Sequence, residues 1–538
     1  MLTLNRHSIK DKQAWAAAGV SLPRFDLDQM IQATEADPVW IHFGSGNIFR
    51  AFIARLQQDL LNQGLASRGI IASDTFDYDI LHKIYTPFDN LTLLVSLKAD
   101  GSLDKDLIAS VADTVAADSS DARAMAKLRR IFTNPGLQII SFTITEKGYA
   151  LRNLKGEYLP VVTADLKDGP GHARHAMSMV TALLWSRFQA GARPVAMCSM
   201  DNCSHNGEKL RNSVLEIARA WQAAGFVPAA FTAYVSDERQ VSFPWSMIDK
   251  ITPRPDATVQ AMLTAAGIAD MAPIVTSKNT FIAPFVNSEV PQYLVIEDRF
   301  PNGRPPLEKA GVYMTDRDTV NQTERMKVTT CLNPLHTALA VTGCLLGYKR
   351  ISEEMRDPDL KALVEKIGYK EGMPVVTDPG ILSPTDFIHE VIDVRLPNPF
   401  MPDTPQRIAT DTSQKVGIRY GETIKSYLAS TQLDVNTLTA IPFAIAAWLR
   451  YLLAVDDQGA AMACSSDPML ETLQQQLQTV KWNQPDSYAH QLQPILANAA
   501  LFGSDLCACG LGKKIETYFV AMLAGPGSVR QTLKAAAY

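Results

Sequence analysis

Long hydrophobic runs are missing from this 538-residue chain. The longest, Ile441 to Val455, is broken by Arg450. It falls short of the roughly 20 residues that a bilayer-spanning helix needs, so it reads as a buried helix. Met1 to Arg24 is polar and mixed in charge, without an apolar core, and no secretory leader is expected there. A surplus of positive charge is missing too. Lys and Arg number 51 against 56 Asp and Glu, for a net charge of −5 and a pI near 6.0. That balance excludes the basic footprint of a nucleic-acid binder and a polybasic membrane patch. Cysteine is sparse: seven residues, scattered, give no disulfide framework and point to a reducing, cytoplasmic compartment. Cys507 and Cys509 lack companion ligands. Cys198, Cys203 and His205, around Asp201, do not fall at zinc spacings, so no metal site is expected.

What is present suits a globular protein of two or three domains, with 46% hydrophobic and 20% charged residues. Residues 1–38 read as an N-terminal extension with one short helix near Lys10 to Ala18. From Val39 strand-like runs (39–43, 69–73, 91–97, 137–145, 194–200) alternate with helical ones, notably 173–190 and 207–223. The alternation predicts an α/β fold whose N-terminal domain, 39–285, is a Rossmann-type doubly wound parallel sheet. Residues 91–97 follow Asp89-Asn90 and suit an inserted hairpin better than the main sheet. After about residue 285 helical periods dominate, which predicts a mostly α-helical C-terminal domain, 286–538. Ligands of open α/β sheets sit outside the carboxyl ends of the strands, and the second domain is expected to cover that edge.

Two segments carry chemistry. In the first, Val39 to Phe43 runs into Gly44-Ser45-Gly46 and then into an amphipathic stretch from Ile48 to Leu61. Strand, glycine turn and helix form the context in which a pyrophosphate reaches a helix N-terminus. Gly44, Gly46, Asn47, Ile48 and Phe49 are the candidate cofactor contacts, although Phe49 stands where the fingerprint has its third glycine. The same order also closes ordinary βα units. Asp74, ending the second strand, is placed to accept bonds from ribose hydroxyls and to repel a 2′-phosphate, favouring NAD over NADP. A helix cap is the other reading of Asp74, and Asp77 and Asp79 compete for the ribose role.

The second segment is Met326-Lys327-Val328-Thr329-Thr330-Cys331-Leu332-Asn333-Pro334-Leu335-His336-Thr337. Asn333 and His336 share a face if the segment is helical. Lys327 sits among uncharged neighbours, where a lysine loses its proton at modest cost and becomes a candidate general base. A helix start with Asn333 as cap and Pro334 in the first turn fits the same residues.

With these two segments, five more are found in order between residues 39 and 510: Thr143–Tyr149, Ser199–Cys203, Met247–Pro253, Val295–Pro305 and Asp467–Leu470. The set resembles the polyol-specific long-chain dehydrogenases, the mannitol dehydrogenase family, and within it the branch acting on hexuronates. The resemblance implies an NAD-dependent, metal-independent oxidoreductase acting on a sugar acid. Polyol or epimeric hexuronate substrates are alternatives, and a catalytically silent nucleotide-binding protein is the non-enzyme alternative. It implies Lys327 as general acid–base, with Asn333, His336 and Asn202 as donors to the reacting oxygen. It also implies Arg407, Lys415, Asp249 and Glu146 as substrate contacts. One departure stands out. The family pattern sets Lys and Asn five residues apart, and here they are six apart. In an α-helix one extra residue swings Lys327 by about 100°, unless a local bulge absorbs it.

Overall fold

The computed structural model describes residues 1–153, 155–401 and 403–538. The chain divides into two compact units, Met1–Asn321 and Gln322–Tyr538.

In the first unit six parallel strands share one sheet. Their spatial order is Val111–Ala116, Ile70–Asp74, Trp40–Phe43, Ile139–Phe142, Val195–Ser199 and Val241–Ser242. Numbered along the chain this is 3-2-1-4-5-6, the doubly wound order. The strands Trp40–Phe43, Ile70–Asp74, Ile139–Phe142 and Val195–Ser199 are buried at every position. Strands covered on both faces have no solvent side, so they read as unbroken apolar runs. One cover includes Phe43, Leu128, Phe142 and Trp221, and another includes Trp40, Phe52, Leu60 and Ile139. Each such side chain contributes about 1.5–3 kcal/mol by leaving water.

Thr92–Leu97 lies outside the main sheet. It pairs antiparallel with Leu103–Ile108, as the hairpin reading expects, and parallel with Phe285–Glu289.

Two expectations about boundaries need correction. The segment 1–38 is more than an extension with one helix. Val20–Ser21 pairs with Leu103–Ile108, Leu2 bridges to Ile268, and a second helix spans Leu27–Ala36. Asp26 caps that helix by accepting from Gln29 N–H at 2.9 Å. The division between units falls after Asn321 and not after residue 285. Strands beyond 285 belong to the first unit: Phe285–Glu289 pairs with Thr92–Leu97, and Tyr293–Glu297 pairs with both Ser246–Asp249 and Tyr313–Thr315. These partners lie far back in the chain, so local helical periodicity hides them.

The second unit is helical, with no strand among its described residues. Asn333–Leu346 packs against Ala440–Tyr451, which packs in turn against Gly512–Ala521. Every residue of Ala440–Tyr451 is buried, as suits a helix that is apolar on all sides apart from Arg450. Its first turn is held by the Glu371 carboxylate, which accepts from Thr439, Ala440 and Ile441 N–H at 2.7, 2.8 and 2.8 Å. Arg450, fully buried, donates to the carbonyls of Val455, Asp456 and Met522.

The central strand of the main sheet ends at Gly44, whose φ is 106° and whose Cβ, if present, would lie 2.0 Å from the Thr143 carbonyl oxygen. Gly46 has open space at that position. Gly44→Ala is therefore expected to destabilise the fold by about 2–4 kcal/mol, from overpacking plus a disallowed φ. Gly46→Ala should cost well under about 1 kcal/mol. Thermal and urea denaturation of the two variants checks this contrast.

Candidate active site

The glycine turn sits where the order of the parallel sheet reverses, between Trp40–Phe43 and Ile139–Phe142. A continuous helical stretch, 47–62, begins directly after Gly46. Residues 49–53 of it form a π turn. Phe49, at the third-glycine position, is fully buried and stacks on the His42 ring at 4.2 Å. His42 in turn hydrogen-bonds Ser141 Oγ at 2.7 Å and Thr143 Oγ1 at 2.8 Å. Burial holds its pKa down to about 3, so it is neutral. Two observations fit a dinucleotide at this turn. Asn47 Oδ1 is buried without a hydrogen-bond partner, and the space over Gly46 is open. Ile48 is half-buried beside them.

Asp74 is less available than its sequence position suggests. Oδ2 accepts from Ser45 N–H and Ser45 Oγ at 3.2 and 2.8 Å, and Oδ1 accepts from Phe76 and Asp77 N–H at 2.9 Å each. Its carboxylate thus laces the glycine turn to the end of the second strand. Binding a ribose hydroxyl requires sharing or exchanging one of these bonds. Asp77 is also engaged, by Thr276 Oγ1 at 2.6 Å, and Asp79 pairs with Lys83 at 3.0 Å.

Asn202 is exposed in the loop after Val195–Ser199. The loop is anchored by Asp201, which accepts from Ile144 and Thr145 N–H, each at 2.9 Å, and from the Tyr149 hydroxyl at 2.5 Å. Asp249 is buried at the end of strand Ser246–Asp249. Glu146 differs from both: it is largely exposed and ion-paired with Lys209.

In the second unit the extra residue between Lys327 and Asn333 has a structural explanation. Lys327–Cys331 is a π turn, closed by Leu332 N–H donating to the Lys327 carbonyl at 3.1 Å. A bond spanning five residues takes up one more residue than an α turn, and so offsets the 100° swing. The turn is braced from two sides. Thr423 Oγ1 donates to the Thr329 carbonyl at 3.3 Å, and Gly372 packs on Thr330, where a Cβ would come within 2.9 Å. Lys327 is 1% exposed. The helix Asn333–Leu346 follows. Its cap is Leu332, and no side chain makes a capping bond. The reading of Asn333 as an N-cap is thereby corrected: the bend at Leu332 starts the helix one residue earlier and leaves the Asn333 amide out of the cap.

One turn on, His336 Nε2 lies 3.5 Å from Asp403 Oδ2. The other oxygen, Asp403 Oδ1, accepts from Arg407 Nε at 2.7 Å and Nη2 at 2.6 Å. Burial lowers the His336 pKa to about 4. Asp403 opposes that shift, while Arg407, Arg419 and Arg395 reinforce it. His336 is therefore neutral at physiological pH and holds one ring N–H to donate. Lys415 donates to the Thr410 carbonyl, and burial together with Arg419 lowers its pKa. The structure thus brings His336 and Arg407 near the same carboxylate, Asp403, with Lys415 close to Arg407. Asp403 and Arg419 were not singled out from the sequence, where nothing local marks either one. Among the described residues, no group of three or more His, Cys, Asp or Glu side chains is arranged to hold a metal ion. Among the described residues no helix is long and apolar enough to cross a membrane.

Comparison with known proteins fits this geometry. Residues 39–309 match the mannitol dehydrogenase Rossmann domain, and residues 319–522 match the mannitol dehydrogenase C-terminal domain. The chain belongs to the mannitol dehydrogenase family. As a member of that family it is an oxidoreductase acting on CH–OH groups. It is 51% identical to a D-mannonate oxidoreductase of Thermotoga maritima, over 99% of this chain and 98% of that protein. Among solved structures it is similar to a substrate-free D-sorbitol dehydrogenase, with a TM-score of 0.78 and 26% identity over 97% of this chain and 98% of the other. A mannitol 2-dehydrogenase of Pseudomonas fluorescens, in ternary complex with NAD and D-mannitol, gives a TM-score of 0.73 and 27% identity over 99% of each chain. This mannitol dehydrogenase family member thus shares its Rossmann-type and helical domains with these proteins.

The histidine generates a pH prediction. Its pKa is near 4 folded and about 6.5 unfolded, so between those values the unfolded chain binds more protons. Stability from a neutral His336 is complete above about pH 6.5 and is lost as the pH falls toward 4. His336→Gln should remove up to about 3 kcal/mol of that decline. Urea denaturation of variant and parent from pH 4.5 to 7.5 measures it. His42 contributes the same sign of slope in both proteins.

Proposed function

We propose that this enzyme reduces D-fructuronate to D-mannonate, and catalyses the reverse, with NAD(H), without a metal ion and with Lys327 as the general acid–base. The carrying observation is the π turn at Lys327–Cys331. It supports a catalytic reading of Lys327 because it compensates for the one residue by which this chain departs from the family spacing. The D-mannonate oxidoreductase of Thermotoga maritima, similar along the whole chain, supports the choice of sugar acid.

Bound NADH supplies a hydride to the ketone carbon. Gly44, Gly46, Asn47, Ile48 and Phe49 would hold the dinucleotide, and Asp74 would keep the turn in shape or bond the ribose. In reduction the Lys327 ammonium gives a proton to the ketone oxygen. In oxidation the neutral amine takes the hydroxyl proton. The Asn333 amide, uncommitted to capping, and the neutral His336 ring donate hydrogen bonds to the reacting oxygen and its neighbour. Asn202 and Asp249 are assigned further substrate contacts, with Arg407 and Lys415 on the anionic end. Glu146 is the weakest of these assignments, given its exposure and its Lys209 partner.

Lys327→Ala should lower kcat by about 10²–10⁴-fold while NADH binding, read by fluorescence, stays near that of the parent. Near-normal turnover would remove this lysine from the mechanism. Parent enzyme assayed with NADH and NADPH on D-fructuronate, D-tagaturonate and D-fructose should prefer NADH and D-fructuronate, and should keep its activity in EDTA. Turnover of fructose alone would make it a mannitol 2-dehydrogenase, and preference for tagaturonate an altronate-forming enzyme. NADH binding without turnover on any of the three would favour a silent nucleotide-binding protein.

A further inference from the structure

One guanidinium beside the histidine helix has a free edge. Arg419 lies on a π turn, Gly417–Gly421. Its Nη1 donates to the Thr337 hydroxyl, next to His336. Among the described residues no other acceptor receives its remaining donors, and no carboxylate pairs with it. Arginine has five N–H donors, and the Nε/Nη2 edge is the one whose spacing matches the two oxygens of a carboxylate. Arg407 is different, since Asp403 already occupies that same edge of its guanidinium.

The arginine is held firmly in place. A Cβ on Gly421 would lie 1.9 Å from the Phe502 carbonyl oxygen, and one on Gly417 2.8 Å from that of Leu501. The π turn is therefore pressed against backbone at both ends. Between them the Tyr420 hydroxyl donates to the Pro334 carbonyl at 3.0 Å, tying the turn to the first residues of the histidine helix. Lys415 adds a second cation. Of the acids near it, Asp467 is already engaged by Ser413 N–H, Ser413 Oγ and Met469 N–H at 2.8, 2.5 and 2.9 Å. Asp411 is the other acid close by. Positive charge thus exceeds what neighbouring carboxylates cancel, on the side of the histidine helix that carries His336 and Thr337. Burial lowers the Arg419 pKa to about 10, which leaves it charged at neutral pH, and among the described residues no carboxylate relieves the desolvation.

We propose that Arg419 is the specificity-determining residue of this enzyme. Its Nε/Nη2 edge receives the carboxylate of the sugar acid as a two-point hydrogen-bonded pair, with the Lys415 ammonium alongside. The inference rests on the reading of the chain as a sugar-acid oxidoreductase and adds to it the group that distinguishes an acid from a neutral ketose. A neutral substrate would leave the guanidinium desolvated and unpaired, which is a larger penalty than the loss of one contact.

The test compares D-fructuronate with its methyl ester, which keeps the carbon skeleton and lacks the charge. The parent enzyme should favour the acid in kcat/KM by about 10–150-fold, the worth of a hydrogen bond to a charged group. Arg419→Met should shrink that preference to within about threefold. Arg419→Lys, which keeps charge without the fork, should fall between. The acid-to-ester comparison in the parent needs no variant, so poor folding of Arg419→Met does not protect the proposal. Equal use of acid and ester by the parent would overturn it, as would an Arg419→Lys or Arg419→Met enzyme with the full parental preference. A parent that reduces neither but turns over D-fructose would overturn the sugar-acid reading, and this inference with it. A parent that reduces the acid and the ester equally well would overturn this inference alone.

Discussion

A single hydrogen bond, from Leu332 N–H to the Lys327 carbonyl, sets the register of Lys327 against the helix Asn333–Leu346 in the second unit. It spans five residues, so it takes up one residue that an α-helix has no room for. The helices on either side, Arg317–Met326 and Asn333–Leu346, keep their own periodicity, and the π turn between them resets one against the other. Such a turn packs less well than an α turn and persists only where its surroundings support it. Here the support is visible: Thr423 bonds a carbonyl of the turn, and Gly372 lets a neighbouring chain segment close on Thr330.

The device recurs. Arg395 and Arg419 also lie on π turns, Val391–Arg395 and Gly417–Gly421. In the first unit, so does the stretch Phe49–Ile53 just past the glycine turn. In each case a charged or aromatic side chain sits where helical periodicity is locally broken. The broken register gives a side chain a direction that no α-helical position offers, at the cost of dense packing around the turn. His42 and Phe49 show the same logic in the first unit. Stacked rings fill the space that a third glycine would leave for close helix–strand contact, and the neutral imidazole ties the central strand to its neighbour through Ser141 and Thr143.

Much of the fold was legible in the sequence because the core strands are covered on both faces. Val39 to Phe43 and Pro194 to Met200 announce themselves as apolar runs between helical segments. The helix Leu27–Ala36 was not, since only its Asp26 cap marks it and just Met30 and Thr34 are buried. The boundary read at residue 285 missed strands whose partners lie back in the chain, such as Tyr293–Glu297 with Ser246–Asp249. The segment that carries Lys327, Asn333 and His336 stood out in the sequence, though not the π turn within it. Arg419 was invisible for a plain reason. Its partner Thr337 is 82 residues away, and two glycines let its π turn press against Leu501 and Phe502. Asp74 shows the reverse: its position suggested a ribose contact, whereas two hydrogen bonds tie it to the glycine turn and two to the chain just after its own strand.

The first two dozen residues carry a structural duty. Val20–Ser21 closes one side of the four-stranded sheet by lying along Leu103–Ile108. Shortening the chain past that point would unveil a row of unsatisfied amides and carbonyls, the kind of surface on which extended chains from other molecules add.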